Sequence, residues 1–176
     1  MNHANRFMPR LLAGLTLAAS IALPLAAMGV WLFWDQLAPA SNDPALPYYD
    51  PAALGAGARL AGFALFLTGA LTQAYGLLGL RQTFLEAAAG RALSLLSVYG
   101  FRRFAWVSLF MAAFAIVQRT GLIALLSASD PTKQNALSIQ IGTPELKAIF
   151  MGLLLVFVAQ VFAQAKAAKD ENDAFV

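Results

Sequence analysis

One charged residue stands well inside an apolar run of this 176-residue chain: Arg119, in the stretch Gln118-Arg119-Thr120-Gly121. It lies about seven residues short of the expected end of its run at Leu126. A guanidinium buried in an apolar medium costs several kcal/mol, so such a residue is by default an anion contact, a counter-ion or part of a relay. The competing reading is snorkelling, in which the long stem lifts the charge toward the nearer polar boundary. No acid is expected at the same depth in the other apolar runs. Snorkelling or carbonyl contacts are therefore favoured over a lipid or subunit contact, and both over an anion site.

Other chemistry-bearing residue types are nearly missing. Cysteine is absent and the single histidine is His3, near the N-terminus. This excludes thiolate nucleophiles, Cys or His metal clusters and Ser-His catalysis from the expected repertoire. Glycine-rich phosphate loops, carboxylate pairs and nucleophile elbows are not seen either. The chain reads as non-enzymatic, with no catalytic residue, no metal site and no cofactor. A weaker polar set is Thr16, Gln73 and Gln160, each within an apolar run and at broadly similar depth. If their faces meet, they supply interhelical hydrogen bonds of about 0.6 kcal/mol each, which is adhesion rather than chemistry.

The elements that must position these groups are helices too apolar for a water-soluble domain of this size. Hydrophobic residues make up 60% and charged residues 12% of the chain, and the mean hydropathy is +0.66. Four apolar runs are long enough to cross a bilayer, at about residues 11–34, 58–80, 104–126 and 146–165. The first is too long for the apolar core of a signal peptide, although Ala38-Pro39-Ala40 resembles a cleavage site. Pro24 should kink it, and Trp31, Phe33 and Trp34 should form an interfacial aromatic belt at its end.

The second run carries Gly55, Gly62, Gly69 and Gly76 at intervals of seven. Seven residues make nearly two helical turns, so these glycines form one slowly drifting seam. Helices in lipid associate by close approach at small residues, so Gly62, Gly69 and Gly76 are expected to mark a packing seam. Asp50-Pro51 is the expected start of this helix and Gly90 its stop. Between Arg91 and Arg103 the pattern suggests a short amphipathic helix lying on the membrane surface, with Ser94 as a possible cap. Asp130 to Gly142 reads as a polar loop containing a short extended piece at Ala136–Ile141. Thr143-Pro144-Glu145 has the cap, proline and first-turn acid of a helix start.

Charge sets the orientation. The N-terminal lead, the central stretch from Arg81 to Arg103 and the C-terminal tail hold eight of the twelve Lys and Arg residues. The positive-inside rule then puts both termini and the central loop in the cytoplasm. The basic residues are scattered at helix ends, so direct nucleic-acid binding is not expected. Arg81, Arg91, Arg102 and Arg103 form a candidate contact surface for anionic lipid or a partner protein, beside their ordinary anchoring role.

The stretches Gly79-Leu80-Arg81-Gln82, Gly90 to Ser94 and Phe101-Arg102-Arg103-Phe104-Ala105-Trp106 resemble a bacterial four-span family, catalogued as domain of unknown function 2975. So does the ending, an apolar run, a short basic stretch and then Asp170-Glu171-Asn172-Asp173-Ala174-Phe175-Val176. Relatives often carry a Phe-Ser/Thr step with a nearby acid where this chain has Leu93-Ser94. The resemblance implies an inner-membrane protein with no assigned reaction. It also implies a regulatory pairing, because such proteins are often encoded beside a small helix-turn-helix regulator. The expected fold is thus an all-α integral membrane four-helix bundle with a short cytoplasmic amphipathic segment. The expected role is accessory or regulatory, with the bilayer and a further membrane or cytoplasmic protein as partners. The alternative is a small-molecule or anion sensor or carrier built on Arg119.

Overall fold

The computed structural model describes residues 4–37, 54–129 and 142–174, and these are helical with short caps and turns and no strand. Helix α1 is Ala4–Leu32, α2 is the single turn Trp34–Leu37, and α3, α4 and α5 are Ala56–Ala88, Leu95–Ser129 and Thr143–Ala174. The four long helices have 29, 33, 35 and 32 residues, and each is long and apolar enough to cross a membrane. All four run past the expected spans at one or both ends. The expected extended piece at Ala136–Ile141 and the Asp50-Pro51 start lie outside the described residues. Within them, α3 begins after Gly55, whose carbonyl accepts from Arg59 N at 3.0 Å.

Two local signals act as their chemistry requires. Gly90, at φ 80°, ends α3 in the left-handed region. There Arg91 N donates to Glu86 O at 2.9 Å and Gly90 N to Ala87 O at 3.0 Å, the pair of reversed bonds that closes a helix over a glycine. Four residues later Ser94 caps α4, its Oγ accepting from Ser97 N at 3.1 Å. From that cap α4 runs unbroken to Ser129, so Leu95–Arg103 is the opening of the third long helix and not a separate surface helix. The reason is packing: Gly100 rests on the backbone of Gly79, which holds this piece against α3 in line with the rest of α4.

The long helices form a serial row. α1 packs on α3, α3 on α4 and α4 on α5, while α1 has no extended packing with α4 or α5 among the described residues. Neighbours in sequence are thus neighbours in space. Broad apolar faces stay uncovered: Leu15, Leu60, Phe150 and Phe157 are all more than half exposed.

The glycine row is where the packing is tightest. A Cβ on Gly62 would collide with the Trp31 ring, one on Gly69 with the Gln118 amide, and one on Gly76 would sit 2.7 Å from Val107. Gly62, Gly69 and Gly76 are all buried, whereas Gly55 has open space around it. The seam serves two neighbours, α1 at Gly62 and α4 at Gly69 and Gly76. Farther along, Gly79 and Gly100 meet reciprocally, each needing to lack a side chain for the other's carbonyl.

Trp31 and Trp34 are not an interfacial belt. Each is only 8% exposed, their rings stack at 4.6 Å, and they join Leu54 and Leu126 in one core. The missing side chain of Gly62 makes the slot that Trp31 fills, which draws the indole inward. Phe33 alone of the three stays exposed. A second core of Ala105, Val156 and Ala159 joins α4 to α5, where Gly152 lies against Leu109.

Leucine at Gly62 or Gly69 should therefore overpack the interface and destabilise it by about 1–3 kcal/mol or more. Gly57→Leu, at a site with nothing within 4 Å, should not. Thermal unfolding midpoints in mild detergent test this, and equal midpoints for Gly57→Leu and Gly69→Leu would refute the packing role.

Candidate functional site

Two ends of the row gather the charges, and they differ in kind. Toward the end that holds Trp31, Arg59 and Arg119 are neutralised by acids, while Lys147 is exposed with no acid partner among the described residues. Arg59 meets Asp35 through two bonds, Nη1–Oδ2 at 2.9 Å and Nη2–Oδ1 at 2.5 Å, and its Nε donates to Leu54 O at 2.9 Å. This fork fits a carboxylate edge, and it ties α2 to the first turn of α3. The Arg59 bonds hold the Asp35 carboxyl below its ordinary value of 3.8. Its contribution is therefore present above that value and lost as pH falls through the depressed one.

Arg119 also has an acid. Its Nη1 lies 2.9 Å from Glu145 Oε1, in the first turn of α5. The expectation that no acid reaches this depth is corrected, because α5 begins alongside the interior of α4 rather than at its end. Glu145 does a second job: its Oε2 accepts from Gly142 N at 2.8 Å. That is half of a capping box, with Gly142 as the cap and Pro144 one place later than the sequence suggested. One carboxylate thus starts α5 and neutralises the half-buried cation of α4. Beside it, Gln118 Nε2 donates to Leu65 O at 3.4 Å and links α4 to α3. The acid was visible in the sequence as a first-turn residue; what was missing was the stagger between the helices.

Thr16, Gln73 and Gln160 do not converge. Thr16 is buried and donates within its own helix, to Leu12 O at 3.0 Å and Ala13 O at 3.1 Å. Gln160 is exposed on α5, which packs on α4 and has no extended contact with α1 or α3, and Gln73 is half-buried on α3. A row separates residues that a closed ring would bring together.

The end that holds Gly90 is different. Arg91 is satisfied by Glu86, with Nε–Oε2 and Nη2–Oε1 both at 3.0 Å, and this contact raises the Arg91 pKa. Lys166 pairs with Asp170 one turn on. Arg81 is half-buried on α3. Arg102 and Arg103 have no acid partner among the described residues, and they line a groove of about 350 Å³ between α3 and α4. Its other walls include Tyr75, Gln82, Tyr99 and Trp106. Arg103 is held in place: its guanidinium carbon sits 4.4 Å from the Tyr75 ring centre, and its buried Nε has no hydrogen-bond partner among the described residues. The floor is the Gly79–Gly100 crossing, reinforced by Thr83 Oγ1 donating to Ser97 O at 3.0 Å. Sequence reasoning named both arginines but not the aromatic walls, whose signal was the spacing Tyr99, Arg102, Arg103, Trp106 along one helix face.

No group of three or more His, Cys, Asp or Glu residues among the described ones is arranged to hold a metal ion. Comparison with models of known protein families, with curated proteins and with solved structures finds no match.

The Arg119–Glu145 pair predicts non-additive mutants. Arg119→Gln and Glu145→Gln should each destabilise the protein by leaving one charge uncompensated, while the double variant should lose less than their sum. A favourable coupling is expected from unfolding in detergent, and a coupling of zero would show that the pair does not form.

Proposed function

We propose that this chain is a multi-pass protein of the bacterial inner membrane, with both termini and the α3–α4 turn in the cytoplasm. In this reading it has no catalytic role and works as an accessory or regulatory protein that docks a partner at that turn. Four apolar helices whose side chains stay exposed in the protein fit a lipid surrounding, since such faces would associate in water. The concentration of Lys and Arg in the N-terminal lead, the Arg81–Arg103 stretch and the C-terminal tail supports the orientation. The resemblance in Gly79–Gln82 and Phe101–Trp106 to the four-span family agrees with it.

One observation carries the docking proposal. Leu95 and Leu96 are 60% and 53% exposed on the opening turns of α4. Leu95 lies seven residues, about 10 Å, before Arg102 on the side away from the apolar body of the helix. Beyond an arginine level, acyl chains do not cover apolar side chains, so a protein partner is the natural cover. The rigid glycine turn and the paired Arg91–Glu86 beside it present these residues in one fixed arrangement. An Arg119-based anion carrier is less favoured, because Glu145 already compensates the cation which that role needs.

Two measurements test the proposal. The chain lacks cysteine, so single cysteines at Ala92 or Ala174 can be probed with a membrane-impermeant maleimide. Both should label only after the inner membrane is opened, and labelling of intact spheroplasts would reverse the orientation. Native purification in mild detergent should recover a stoichiometric companion. Leu95→Ser with Leu96→Ser should reduce its recovery about tenfold or more; undiminished recovery, or a wild-type chain recovered alone, counts against docking.

A further inference from the structure

The groove walled by Arg102 and Arg103 has the composition of a site for a phosphate group held at a membrane surface. We infer that it binds the phosphate of an anionic phospholipid in the cytoplasmic leaflet; this rests on the membrane reading above, but not on partner docking. Among the described residues four cations are matched with acids, Arg59 with Asp35, Arg91 with Glu86, Arg119 with Glu145 and Lys166 with Asp170, while Arg10, Arg81, Lys147 and Lys169 stand apart from any acid. The two guanidiniums of this groove have none among the described residues, although they are adjacent in sequence and share its walls. Two like charges side by side raise the local potential and call for an anion.

The walls say which anion. Guanidinium forks suit the paired oxygens of a phosphate. Tyr75 lies against the face of Arg103, so that side chain is already ordered before a ligand arrives and less freedom is lost on binding. Gln82 adds an amide, and Tyr99 and Trp106 add the amphipathic rings that favour the headgroup level of a bilayer. Basic pockets between membrane helices on the cytoplasmic side are suited to anionic headgroups.

A second groove favours a lipid over a soluble phosphate. Arg102 and Trp106 also line a cleft of about 300 Å³ against α5, whose other walls include Val156, Ala159 and Gln160. The two grooves flank a shared ridge of Arg102 and Trp106, and the α4–α5 cleft sets Val156, Ala159 and Ala163 beside the amides of Gln160 and Gln164. A headgroup on the ridge would have a ready course for an acyl chain along Val156 and Ala159. A free phosphate would use only the charged part.

The test is native mass spectrometry of the full chain in detergent, titrated with phosphatidylglycerol or phosphatidylcholine. The wild type should retain one phosphatidylglycerol per chain and prefer it at least tenfold over phosphatidylcholine. Arg102→Gln and Arg103→Gln should each weaken phosphatidylglycerol binding about fivefold. Arg103 also packs against Gly79, so if its variant fails to fold, exposed Arg102 carries the test. Arg10→Gln, at the same end but on α1, should keep the preference. Equal affinity for the two lipids would overturn the inference, as would an Arg10→Gln loss equal to that of Arg102→Gln. Displacement of the lipid by millimolar inorganic phosphate would assign the site to a soluble anion instead. Flotation with liposomes separates the two levels: a chain that floats with both lipids but prefers neither refutes only this site, and one that floats with neither refutes membrane insertion as well.

Discussion

The approach of α3 to α4 is limited by backbone, not by side chains, and much else follows from that. At Gly79 and Gly100 each helix offers the other a bare peptide group, and at Gly76 and Gly69 the space goes to Val107, Met111 and Gln118. Where burying apolar surface gives no net gain over lipid, contact of this quality is the main source of helix association. It fixes the start of α4 in line with its remainder, and with it the positions of Ser97, Arg102 and Arg103. The groove of Arg102 and Arg103 lies beside this close approach, with Gly100 among its walls.

Charge is treated differently at the two ends of the row. Toward Trp31, acids are placed where they also serve the backbone: Asp35 holds the arginine that bonds Leu54 O, and Glu145 caps the helix it starts. These pairs lock α2 to α3 and α5 to α4. α5 depends heavily on its pair, since α4 is the one long helix it packs along among the described residues. Toward Gly90 the pattern is mixed, with Arg91 and Lys166 matched and the groove arginines without an acid among the described residues. A compensated end suits structure; an uncompensated one suits recognition.

The serial order of the helices leaves more lateral surface than a ring of four would. α1 and α5 are both terminal members of the row, and each presents most of its circumference to the surroundings. Cross-row polar contacts such as a Thr16–Gln160 meeting are therefore ruled out by arrangement, whatever the depth of the residues.

The sequence by itself determined the local features. Hydropathy and length marked four long helices, Gly90 could end α3 because glycine reaches the left-handed region, and Ser94 could cap α4 because its hydroxyl accepts a backbone N–H. The spacing of seven announced a seam, since helical geometry alone puts those positions on one face. Only the tertiary structure decided who fills it. Trp31 looks the same in sequence whether it floats at an interface or fills the slot at Gly62, and Arg119 looks unpaired until the stagger of α5 brings Glu145 beside it. Such outcomes depend on the relative height and rotation of helices joined by long connections. Those quantities come from packing between segments distant in the chain, and no local pattern of residues encodes them.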